Sequence, residues 1–257
     1  MNVDDLKALL LTRTQTLLNL VSQYSRDQVS QALYSTLDTF FREVPGLKQI
    51  FLNIHALKID QNVWSKVEDV ISNILGLNIN DLSTLKQLVD TYLELLEFNE
   101  DFRRSHVSTM FSSVVSGCIV DGVCTMEDLR DIDTLLPKLN LYVNMYPLGP
   151  LIVMLSSLLQ TIVVTDSEEL TKKYMALIEG STTLEEAKDL LDALFASVVV
   201  SVIYISSFAT KYFNDVAKLG VELWSTVVKH VQTYKQALNE VLVSKLRQVC
   251  QTYVQKR

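Results

Sequence analysis

A chain of 257 residues, 48% apolar and 21% charged, is long enough to bury one large core or two modest ones. Its 7 glycines and 4 prolines are too few for a turn-rich all-β protein and point to helices. A net charge of −7 lacks the surplus of Lys and Arg that phosphate neutralisation demands, so nucleic acid is not an expected partner.

From the N-terminus, "MNVDDLKALL" has no basic region ahead of an apolar run, so no signal peptide is expected there. Apolar residues then recur at spacings of three and four along nearly the whole chain, which is the helical period. Helices are predicted over about 3–24, 26–44, 47–57, 61–75, 81–98, 100–116, 125–136, 150–164, 167–179, 183–213 and 215–255. Leu33, Leu37, Phe40, Phe41 and Val44 form one such stripe, ended by Pro45 and Gly46. Capping-box spacing joins Ser25 to Gln28, Thr125 to Asp128, Thr165 to Glu168 and Thr182 to Glu185. Single glycines at 76 and 180 serve as helix stops. No strand-like alternation is present, and the predicted class is all-α.

Two stretches carry no charge. Residues 139–165 are interrupted by Pro147 and Pro150, which argues against one continuous span. Residues 193–210 are uninterrupted for eighteen positions, the lower edge of membrane-spanning length. Beyond them, residues 211–257 carry eight Lys or Arg against Asp215, Glu222 and Glu240, a local balance of +5. That tail reads as a solvated amphipathic helix, with contact to an acidic surface or membrane as the alternative. Trp224, Val231 and Leu238 lie one heptad apart with Val227, Tyr234 and Val241 between them, and the stripe lapses at Lys245. Packing back on the same chain is the first expectation for it, and a homo-oligomer through this C-terminal helix the second.

Sliding the chain by 102 positions superimposes Leu88, Val89, Asp90 and Leu96 on Leu190, Leu191, Asp192 and Val198, and Phe102, Met110, Phe111 and Val114 on Tyr204, Tyr212, Phe213 and Val216. The landmarks Ser25 and Thr125, Pro45 and Pro150, Asp60 and Asp166, and Gly76 and Gly180 recur in the same order. We expect a duplication: copy one over 1–117, copy two over 118–220, and an added amphipathic helix over 221–257, packed as one unit. In the second copy Glu94, Glu97, Glu100 and Asp101 are replaced by Ala196, Val199, Val202 and Ile203, so an amphipathic helix has lost its polar face. Residues 193–210 are therefore expected to form a helix buried on all sides rather than a span.

The stretch "VPGLKQIFLNIHALKID" (44–60) resembles the insect allergen-related helical repeat family. The matching features are Pro45, Leu47 and Lys48, Ile50 and Phe51, and the doublet Ile59 and Asp60, followed by "ISNILGL" at 71–77. The likeness is best over 3–77, and looser in the second copy, where Pro150, Ile152, Leu155 and Val164 agree. It implies tandem helical repeats around an apolar cavity that holds fatty acids or phospholipids, in a secreted protein.

Conventional catalytic signatures are missing. His55, His106 and His230 form no metal-spaced pair, and each is expected at a surface or helix end. Ser83 and Lys86 spell S-x-x-K inside a helix start without its companion motifs. The pairs Glu168, Glu169 and Glu185, Glu186 sit where first helical turns favour negative charge. Cys118 and Cys124 either close a small disulfide loop or remain two buried thiols; no zinc site, metal or cofactor is expected. The expected function is non-enzymatic binding or enclosure of a lipid-like apolar ligand. Its lining would be Phe51, Ile54, Leu93, Leu96, Met110, Phe111, Met154, Leu158, Phe195, Val198, Tyr212 and Phe213. A self-assembling matrix-type coat and an α-helical pore former are the alternatives.

Overall fold

The computed structural model describes residues 81–183 and 185–239. The helices expected before residue 81, the motifs at 44–60 and 71–77, Phe51, Ile54, His55, Val241 and Cys250 lie outside the described residues.

Asp81 caps the first described helix, α1 (Leu82–Phe98), by accepting the Ser83 N–H at 2.9 Å and the Ser83 hydroxyl at 2.6 Å. Ser83 of the S-x-x-K string is thus a capping partner. Asn99, in extended conformation, ends α1 and caps α2 (Glu100–Val120) through Phe102 N–H at 2.8 Å. The turn brings Tyr92 of α1 against Phe102 and His106 of α2.

Thr125 and Asp128 make half of the expected capping box: the Asp128 carboxylate accepts the Thr125 N–H at 2.7 Å, but the Thr125 hydroxyl donates to that carboxylate at 2.8 Å instead of accepting the Asp128 N–H. They open only a 3-10 turn, Asp128–Arg130. The longer helix, α3 (Ile132–Met145), starts later than predicted and runs past Pro137. Its buried stripe of Ile132, Leu135, Leu136, Leu139 and Val143 continues through the proline. Pro137 lies in the second turn, where its missing N–H costs one ladder hydrogen bond to the Asp133 carbonyl, and packing of the stripe outweighs that loss.

Pro150 falls in the first turn of α4 (Gly149–Asp166), where a missing N–H is harmless. α5 (Glu168–Glu179) is capped by Ser167, not by Thr165, whose hydroxyl returns to the Thr161 carbonyl at 2.8 Å. Gly180 stops α5 in the left-handed region (φ 69°), the role expected of it. The next capping box forms one residue late, between Thr183 and Glu186, and α6 begins at Lys188 instead of near 183.

α6 (Lys188–Thr233) is 46 residues long, where two helices were predicted to meet between 213 and 215. The boundary survives as a kink: Tyr212 leaves helical geometry (φ −130°, ψ 39°) without ending the helix. A short α7 (Lys235–Ala237) follows. No strand occurs among the described residues, and the all-α class holds.

α6 packs most extensively on α4, and this pair forms the centre. The α1–α2 hairpin and α3 pack around it, contributing Leu88, Phe111, Val115 and Leu135 to the same apolar cluster as Leu155, Ile205 and Val227. That cluster runs across the predicted copy boundary at 117/118. Trp224, Val227, Val231 and Leu238 are buried within it, so the heptad stripe packs back on its own chain. The stretches matched by the 102-residue offset do not share helix limits: the break at Asn99 corresponds to Ser201, inside α6, and the kink at Tyr212 corresponds to Met110, inside α2.

Candidate functional site

α4 and the first part of α6 run antiparallel. At one end Val164 packs with Leu190 and Leu194, and Gln160 Nε2 donates to the Leu194 carbonyl at 3.2 Å. At the other, Gly220 meets Pro147 so closely that a Cβ would stand 1.8 Å from the Pro147 oxygen. Neither Gly149–Thr165 nor 193–210 contains a charged residue. Serine and threonine would weaken so apolar an interface if their hydroxyls were orphaned. Most are not, because they bond back along their own helix. Ser157 donates to Val153 O at 2.7 Å and Thr161 to Ser157 O at 2.9 Å; Ser197 donates to Ala193 O at 2.9 Å and Ser201 to Ser197 O at 2.7 Å. Among the described residues, the buried hydroxyls of Tyr204 and Ser206 are exceptions with no partner.

The predicted lining residues separate into three groups. Leu96, Met110, Phe111, Met154 and Leu158 are buried in the central cluster, with Leu93 and Val198 packed at its margin. Tyr212 and Phe213, expected to face inward, are instead 43% and 40% exposed, because the kink turns that corner of α6 outward. Phe195 belongs to α6, in the charge-free segment. A shallow groove of about 320 Å³ lies between α3 and α6, lined by residues including Asn140, Asn144, Val221 and Trp224; of the expected lining, Leu93, Leu96, Met110, Phe111, Met154, Leu158, Val198, Tyr212 and Phe213 are not among them. Trp224 Nε1 donates to Asn140 Oδ1 at 2.8 Å beside that groove.

His106 is not at a surface or helix end. It is 4% exposed, stacked on Phe102 with ring centroids 3.9 Å apart, and its Nδ1 lies 3.1 Å from the Tyr92 hydroxyl. Burial lowers its pKa from 6.5 to about 3, so the ring is neutral at physiological pH, and burial likewise raises that of Tyr92. The signal was present in the sequence: Phe102, His106 and Met110 follow at spacings of four on one face of α2. His230 is closer to the expected position, near the end of α6, with Glu97 at 3.6 Å; burial first, and Arg103 second, lower its pKa.

The clearest charged pair among partly buried groups is Lys138 with Asp128 at 2.7 Å. Burial opposes ionisation of Asp128, but Lys138 and the Thr125 bonds prevail and hold its pKa below the ordinary carboxylate value. Lys138 thereby ties α3 to the loop that holds the Cys118–Cys124 disulfide, both sulfur-bearing residues being buried. Tyr142 completes this corner by donating to Asp121 at 2.8 Å. Glu168 and Glu169 do stand in the first turn of α5, paired with Lys172 and Lys173 one turn on. No group of three or more His, Cys, Asp or Glu that could hold a metal occurs among the described residues.

Comparison with known proteins finds no matching family model, no similar curated protein and no similar solved structure.

Proposed function

We propose that this chain is a non-enzymatic helical protein that binds or encloses a lipid-like apolar molecule, a fatty acid or phospholipid, against the charge-free stretches 149–165 of α4 and 193–210 of α6. The observation that supports it most directly is the antiparallel pair itself: two long segments without a charge, most of whose hydroxyls are answered within their own helix, which make the interior of the fold an apolar environment of the kind acyl chains partition into. The disulfide suits an oxidising compartment, in keeping with a secreted lipid carrier. We include the duplication in this reading: two copies of about 100 residues, in which the second has exchanged its polar face for an apolar one.

Extraction of the purified protein with organic solvent, followed by mass spectrometry, tests the proposal. Recovery of a fatty acid or phospholipid in near-stoichiometric amount is expected. Lipid-free extracts, together with a melting temperature that does not move when oleate is added to the protein, would overturn it.

A further inference from the structure

We propose that α4 and residues 193–210 of α6, joined by α5, form a detachable unit that enters a lipid bilayer as an antiparallel helical hairpin. This goes beyond binding of a lipid molecule, because the partner is a membrane and the helices leave the core.

Four observations place the unit. First, α4 is long and apolar enough to cross a membrane, with a mean hydropathy of 1.5, and its 18 residues span about 27 Å against a hydrocarbon thickness of about 30 Å. Residues 193–210 match it in length and lack of charge.

Second, the charges within 149–210 are all gathered between Asp166 and Asp192. They belong to the last residue of α4, to α5 and its following turn, and to the first residues of α6, at one end of the hairpin. There Lys172 pairs with Glu168, and Lys173 with Glu169 and Asp189, as suits a connector lying in headgroups. The opposite end carries Tyr146 on one side and Lys211, Tyr212 and Phe213 on the other, residue types favoured at the membrane–water boundary.

Third, the unit is internally consistent. Its satellite apolar cluster, Val164, Leu190 and Leu194 with Leu170, Tyr174 and Leu177, draws only on α4, α5 and α6. Gln160 spends its amide on Leu194, inside the pair, and the serines and threonines named above bond within their own helices. Backbone and side-chain polar groups satisfied in this way tolerate hydrocarbon, where no water replaces a lost partner.

Fourth, a hinge is in place. The non-helical backbone at Tyr212 divides the charge-free part of α6 from the remainder, which Val216, Leu223, Trp224 and Val231 hold in the central core. Movement at that joint would release the hairpin from the central cluster, uncovering the faces of α1, α2 and α3 packed on Leu155, Leu158 and Ile205, while Val216, Leu223, Trp224 and Val231 keep the second part of α6 on α3.

The test uses the intact protein and vesicles of equimolar phosphatidylcholine and phosphatidylglycerol. After incubation, the vesicles are digested with trypsin, washed with carbonate and analysed by mass spectrometry. Lys138 and Lys172 bracket α4, and Lys188 and Lys211 bracket the second segment. The expected result is retention of both bracketed peptides in the washed vesicles and loss of peptides from α1 and α2. Release of both bracketed peptides, or retention of only one, overturns the hairpin. The partly exposed Val200 offers a control, since Val200→Glu places a charge in mid-hairpin without adding a trypsin site, at a position where the folded chain leaves the carboxylate a route to water. With its helical circular dichroism unchanged, this variant should lose retention; wild-type retention in that variant would also overturn the proposal. A chain that co-purifies with lipid yet leaves no peptide in vesicles fails here while the ligand-binding reading stands.

Discussion

At the scale of single residues, the most informative groups are polar ones in apolar surroundings. His106 is neutral in the fold and chargeable when unfolded. Below its ordinary pKa of 6.5 the unfolded chain takes up a proton that the folded chain refuses until about pH 3. Stability should therefore be full above pH 6.5 and fall progressively from 6.5 towards 3, and thermal melts across that range measure it. A His106→Phe variant should flatten that slope if it folds. Tyr204 poses the reverse problem, because its hydroxyl is buried without a partner while the ring packs against Phe208. Tyr204→Phe should cost nothing, or stabilise by about 1 kcal/mol, since it removes an orphaned polar group and keeps the ring. A loss of several kcal/mol in denaturant titration would show that the hydroxyl is engaged after all. The sequence offered His106 as one of three scattered histidines; only its register with Phe102 and Met110 hinted at burial.

Helix limits depend on which local signal is overruled by packing. Asp81, Asn99 and Gly180 act where their residue types predict, because a cap is a short-range bond between neighbours in sequence. Thr165 and Thr182 fail as caps because Ser167 and Thr183, one or two residues on, take the position. α3 runs through Pro137 because its buried stripe outweighs one lost hydrogen bond. Glycine roles differ in the same way. Gly220→Ala would drive a methyl group into the Pro147 carbonyl, which is backbone and cannot turn aside. The expected loss is at or above the upper end of the roughly 1–3 kcal/mol typical of overpacking, read as a fall in melting temperature. Gly117→Ala meets the Tyr142 side chain, its hydroxyl at 2.6 Å and its Cζ at 3.3 Å, and the tyrosine can swing at the expense of its bond to Asp121, so its effect should be the smaller of the two. Joint replacement of Cys118 and Cys124 by Ala opens a short loop and should cost about 2 kcal/mol on chain-entropy grounds. Denaturant titration of the oxidised parent and the variant checks that value.

For the whole molecule, the question is why the core is centred on two stretches, 149–165 and 193–210, that carry no charge at all. If a lipid-like ligand occupies it, added ligand at one hundred times its dissociation constant should stabilise the fold by about 2.7 kcal/mol, seen as a concentration-dependent rise in melting temperature. Composition and periodicity alone determined that the protein is helical and that its centre is unusually apolar, and they marked a helix boundary at 213–215 that the structure reduces to a kink at Tyr212. These properties are local or additive: helical period, caps and charge counts are written in neighbouring residues. The tertiary structure alone decided that α4 and α6 are partners, that Tyr212 and Phe213 turn outward and that the heptad stripe packs inward. It also closed Cys118 on Cys124 and buried His106 against Tyr92. Each of these depends on which faces meet, and residues such as Pro147 and Gly220, or Gln160 and Leu194, become neighbours only after distant helices have chosen each other. An apolar stripe states how much surface a helix must hide, and the fold determines against what.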